Sequence, residues 1–115
     1  MRDVEPMAFR VLTGFGSRLR GLIGREAGWL AGYKGVVLVP CRSIHTFGMR
    51  QSIDVAFVDS TGRVCAVERG LASGKVRAAE GSVMVIERYA STDPWFDVGF
   101  QVFCIPRSAE GEGRL

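Results

Sequence analysis

Hydrophobic and polar positions in this chain alternate mostly with a period of two, and only one stretch carries a helical period. "AFRVL" (residues 8–12) sets Phe9 and Val11 against Arg10 and predicts a short first strand. "TGFG" breaks it. Ser17 then offers an N-cap to "RLRGLIGRE", in which Leu19, Leu22 and Ile23 recur at i, i+3 and i+4, so a helix packed on one side is predicted over 17–26. Gly21 and Gly24 each weaken such a helix by about 1 kcal/mol relative to alanine. Their presence fits a close approach by another backbone. In the glycine-rich "AGWLAGYKG", Trp29 and Tyr33 are expected to cover the core.

"VVLV" (36–39), stopped by Pro40, reads as a buried strand. "SIDVAFVD" and "RVCAVER" flank the turn segment "DSTG", so a hairpin over 53–59 and 63–69 is expected at the centre of the sheet. "LASGKVRAAEG" (71–81) reads as a loop, and "SVMVIERY" (82–89) as a long strand, apolar on both faces up to Glu87. "ASTDPWFDVG" is a loop with a helical turn expected at Asp93-Pro94. "FQVFCIP" is expected to close the fold as a last strand, followed by a polar, disordered tail over 106–115. Many short strands, one helix and no regular strand–helix alternation predict a mainly β fold: an antiparallel β sandwich or partly open barrel with one short packed helix.

At 115 residues the chain fits one domain, with its ordered core over about 8–105. No apolar run approaches the roughly 20 residues of a membrane span. Asp3, Glu5 and Pro6 interrupt the start before a secretory signal could form, so a cytoplasmic location is expected. Three separated cysteines suit reduced, packed thiols rather than a disulfide framework. With a single histidine they match no zinc spacing, so no metal and no cofactor is predicted. The net charge of +3 comes from scattered residues rather than a basic stripe with aromatics, which speaks against nucleic-acid binding. The oligomeric state is not specified.

Signatures such as G-x-S-x-G, the P-loop and H-E-x-x-H are missing from the sequence. "TGFGSRLRG" could cradle an anion with Arg18 and Arg20, but a plain turn and helix start is the favoured reading. The densest chemistry lies in "CRSIHTFGMRQSIDVAFVD" (41–59). There His45 could act as a base oriented by Asp54, with Cys41 as nucleophile, or it could be a structural histidine. Asp54 interrupts an apolar strand and, if it faces inward, needs a partner such as Arg20, Arg25, Arg42 or Arg50. Glu87 raises the same question, with Arg88 and the helix arginines as candidates.

"RGLIGR" (20–25), "GVVLVPCRSIHTFGMR" with "SIDVAFVDSTGRV" (35–64), "SVMVIERY" and "VGFQV" resemble domain-of-unknown-function family 192 over residues 8–105. The middle segment resembles the branch that carries His-Thr-Phe-Gly-Met, although Ser52 stands where that branch commonly has proline. The resemblance implies a sandwich-type β domain and no established activity. It matches Arg20, Gly21, Leu22, Arg25, His45, Met49, Asp54 and Glu87 to the family's motif positions.

Two functions are therefore weighed. The favoured one is a small binding or accessory module that holds a polar or anionic ligand, or a protein segment, near the 17–26 helix and the 41–50 loop. Arg20, Arg25, Arg42, His45, Met49, Arg50, Asp54 and Glu87 are its candidate residues. The rival is a small enzyme using His45 with Asp54 or Cys41. The 41–50 segment is expected to be a surface loop that exposes His45 and Arg50 and is anchored by Phe47 and Met49.

Overall fold

Strand formation follows the period-two pattern closely in the structure, a computed structural model that describes residues 9–102. The elements are β1 (Phe9–Leu12), α1 (Phe15–Arg20), a 3-10 turn (Ala27–Leu30), β2 (Gly35–Leu38), β3 (Ser43–His45), β4 (Ile53–Asp59), β5 (Val64–Leu71), β6 (Val76–Ala78) and β7 (Ser82–Tyr89). The fold is mainly β with one short α helix, and the sheets do not close into a barrel. Among the described residues no helix is long and apolar enough to cross a membrane. Cys104 and the tail expected to be disordered lie outside the described residues.

The main sheet runs β1-β2-β7-β4-β5, and β3 pairs with β6 in a second, two-stranded sheet. Every pairing is antiparallel except that of β1 with β2. The β4–β5 hairpin forms as its turn residues require. The Asp59 carboxylate accepts hydrogen bonds from the Thr61 and Arg63 backbone N–H groups at 2.9 and 3.1 Å, holding the turn. The hairpin is not central, however: β7 takes the middle place, because its residues are buried on both faces, while β5 lies at the edge.

Alternation gives the sheet two apolar faces. Val36, Leu38, Val55, Phe57 and Val85 pack on one side beneath Leu22, Leu30, Ile44 and Met49. Val11, Val37, Ala56, Val58, Met84 and Ile86 pack on the other, beneath Phe96 with Trp95 and Phe100. Trp29 and Tyr33 pack against the first face as expected, Trp95 and Phe96 cover the second from the 90–100 loop, and the expected helical turn at Asp93-Pro94 does not form. Of the expected closing strand at 100–106, residues 103–106 lie outside the described residues; within 100–102, Gln101 forms an isolated bridge with Arg63.

The helix differs most from expectation. It starts at Phe15 on an uncapped Gly14, carries Ser17 inside it, and buries none of its own residues. Phe15 and Leu19 are 74% and 58% exposed. Of the expected apolar stripe, Leu22 is buried and Ile23 packs against the core, both beyond the helix end, while Leu19 is exposed.

Candidate functional site

The helix stops at Arg20 because Gly21 and Gly24 adopt φ of +52° and +70°, conformations that side chains with a Cβ resist. Gly21 is constrained a second time: a Cβ there would sit 2.7 Å from Oε1 of Glu87. The resulting 21–26 turn is tied down at several points. Arg25 Nε donates to the Gly21 carbonyl at 2.7 Å, Arg20 Nε to the Ile23 carbonyl at 2.8 Å, and the Tyr89 hydroxyl to the Arg25 carbonyl at 2.9 Å.

Between this turn and residues 49–51 lies an open pocket of about 400 Å³. Leu22, Met49 and Tyr89 give it apolar walls, and Arg25, Glu26, Arg50 and Gln51 give it polar ones. The Arg25 guanidinium is held 3.8 Å over the Trp29 ring, and Arg10 approaches the same ring to 4.5 Å. Partial burial, and then the like charges of Arg20 and Arg10, lower the pKa of Arg25 from its usual value. Three guanidiniums thus converge beside the pocket.

Glu87 lies beneath the turn. It shares its sheet face with Val85 and Tyr89, has Val36 and Val55 as register neighbours, and is 4% exposed. Burial pushes its carboxyl pKa up to about 7, against the opposing effect of a hydrogen bond from the Leu22 backbone N–H. Neither Arg88 nor the helix arginines reach it. Arg88 is the next residue of the strand and projects through to the other face, while Arg18 and Arg20 spend their guanidiniums on backbone carbonyls. Those contacts occupy both arginines of the 13–21 segment, where a plain turn and helix start is the favoured reading over an anion cradle. Cys41 is partly buried, which raises its thiol pKa, and its Sγ–H donates to the Ser43 carbonyl at 3.3 Å.

Asp54 sits on the opposite face of the sheet from this pocket. Its partner is Arg88, directly across in register and not among the arginines expected, with Nε 2.9 Å from Oδ2. The Gly70 backbone N–H donates to Oδ1 at 2.9 Å. Arg88 also donates to the Asp93 and Pro94 carbonyls and lies 4.5 Å from the Trp95 ring centre. Asp54 therefore anchors the 91–95 loop, directly through the Ser91 N–H and by way of Arg88.

That segment is partly a strand, paired through β3 to β6 inside the stretch expected to be a loop. Its fixed point is Thr46, 0% exposed, which the sequence reading missed. The Thr46 hydroxyl donates to the Ala72 carbonyl at 2.7 Å and accepts from the Lys75 N–H at 2.9 Å. Met49 is buried as expected. Phe47 is 54% exposed and stacks on His45 instead of entering the core. His45 is half-buried, and its Nδ1 accepts a 3.3 Å bond from the Phe47 N–H. Arg42 is exposed, and its backbone carbonyl accepts from Ala79. We expect His45→Ala to cost about 0.5–1 kcal/mol in a urea melt, the range of a single partly solvated hydrogen bond.

Of the candidate residues, then, Arg25, Met49 and Arg50 line the pocket, Arg20 braces its wall and Glu87 lies below it. Arg42, His45 and Asp54 lie elsewhere. Tyr89 was missed, although its i+2 spacing from Glu87 was a usable signal. Among the described residues no three His, Cys, Asp or Glu side chains gather as metal ligands.

Comparison with known proteins gives the same picture at the level of family and fold. The family model DUF192, described as an uncharacterized ACR, matches residues 2–92. None of the curated proteins matches the chain. A crystal structure of a protein of unknown function from Novosphingobium aromaticivorans DSM 12444 is similar with a TM-score of 0.59 and 17% identity over 70% of this chain. So is that of a candidate transcription regulator from Sinorhizobium meliloti 1021, with a TM-score of 0.59 and 15% identity over 70% of this chain. The likeness spans 61% and 66% of those two chains, respectively.

Proposed function

Because the chain belongs to the DUF192 family, whose description names no activity, we propose that its function rests on the pocket between the 21–26 turn and residues 49–51. In this reading the protein is a small binding module for an anionic ligand. One observation carries it: Arg25 and Arg50 reach the pocket from separate segments, and Arg10 and Arg20 add to the positive potential around Arg25. A guanidinium fixed against an aromatic ring has lost its freedom in advance, so less is lost when it binds a carboxylate or phosphate. Leu22, Met49 and Tyr89 would receive an apolar portion of the same ligand.

The rival enzyme reading would need His45 to meet Asp54 or Cys41. Asp54 faces the far side of the sheet, and burial keeps the Cys41 thiol protonated at neutral pH. Both facts favour binding over catalysis. The unpaired Cys41 and Cys65 support a reducing, cytoplasmic setting.

Thermal unfolding in the presence of inorganic phosphate, sulfate and short-chain carboxylates tests the reading. At a concentration 100 times Kd, a bound anion should stabilise the fold by about 2.7 kcal/mol, and Arg50→Ala should remove most of that gain. Arg50 is exposed, so the variant should fold like the parent. Equal shifts in both proteins, or none in either, would sink the proposal.

A further inference from the structure

The 21–26 turn is both a wall of the pocket and the lid over Glu87. On the sheet side it is held by the Tyr89 hydroxyl, which donates to the Arg25 carbonyl, and it closes over the Glu87 carboxyl, whose Oε1 fills the space a side chain at residue 21 would need. We propose that Glu87 is a latch on this wall: buried and neutral it lets the turn lie closed over the sheet, and on ionising it drives the turn open to reach water, which loosens the pocket. The latch concerns regulation of the pocket and rests on the reading above only where ligand affinity is concerned.

The geometry leaves a carboxylate at this position little compensation. β2 and β4 present Val36 and Val55 beside it. On its own strand stands Tyr89, and from the segment after β2 comes Cys41. Burial raises the pKa of both, so both are neutral at pH 7 and can donate no charge. From the turn itself Arg25 is directed to Gly21 and Trp29, and Arg20 to Ile23 and Gly24. Gly21 covers the carboxyl from the turn side: the space a Cβ there would need is already taken by Oε1. Opening the turn is the available route to solvation.

The sign follows from proton binding. In the closed state the carboxyl keeps its proton up to about pH 7, whereas exposed it loses the proton near its ordinary value of 4.5. Between those values the open state binds fewer protons, so each rise in pH favours opening. The closed turn is most secure below about pH 4.5, and its advantage is lost as pH passes through about 7.

Amide hydrogen exchange on the full chain, expressed as protection factors, tests the latch without a ligand. Protection at Leu22–Arg25 should fall about tenfold between pH 6 and pH 8, while in Glu87→Gln it should stay level. Constant protection in the wild-type protein would overturn the latch whatever the variant does. So would an equal fall in Glu87→Gln. In a second arm, sulfate, which does not titrate in this range, should bind the wild type more weakly at pH 8 than at pH 6, with Glu87→Gln unchanged. If sulfate binds at neither pH while the protection change persists, the ligand-binding reading falls and the latch stands.

Discussion

Asp54→Ala is expected to lower the unfolding free energy by about 3–5 kcal/mol, the range for removing one partner of a buried ion pair. The carboxylate is 2% exposed at its side chain and Arg88 is 11% exposed. Alanine would leave that guanidinium with the Asp93 and Pro94 carbonyls as acceptors and no counter-charge. It would also leave the Gly70 N–H without its acceptor. Asp54→Asn should cost less, since one amide oxygen can still accept from Gly70. Urea melts with an unchanged m-value measure the difference directly. A loss under about 1 kcal/mol would mean that Arg88 escapes to water when unpaired, which the packing of Trp95 over it argues against.

The second large effect is expected at Thr46. Thr46→Val keeps the shape and removes the hydroxyl, so no cavity forms. The Ala72 carbonyl loses its donor and the Lys75 N–H its acceptor. Both sit on an exposed loop that can recover some water, so the expected loss is about 2 kcal/mol rather than the full penalty for two buried groups. For a domain of this size that corresponds to roughly 10 °C in Tm. A melt within 2 °C of the parent, on the order of 0.5 kcal/mol, would show that the backbone pairing of Thr46 with Lys75 suffices alone. His45, one residue earlier, provides the internal control with its smaller expected cost.

The strands were legible where alternation is long. "SVMVIERY" forms β7 over those same residues, and the 53–59 strand was read correctly because apolar β-branched residues leave few alternatives. β3 and β6 were not read. Each has three residues, too few to show a period, and their pairing joins segments more than 30 residues apart. The helix was overextended because leucine spacing was weighed over glycine, and the left-handed Gly21 ends it. The candidate site was legible in composition but not in geometry. Asp54 and Glu87 both looked like carboxylates in apolar strands. That they face opposite sides depends on register: Asp54 pairs with Arg88 and Val55 with Glu87, a relation between strands that no single segment contains.

The strand order also sets the timing of biosynthesis. β7 is the last of the described strands in the chain, yet it occupies the middle of the main sheet. Until it leaves the ribosome, β2 and β4 have no common partner, and the β1–β2 pair cannot join the β4–β5 hairpin. At about 5–20 residues per second of synthesis, that leaves several seconds in which both halves carry unpaired edges and uncovered valines. Slowing the translation of residues 60–81 would lengthen the exposure, whereas faster translation of the same stretch would shorten it.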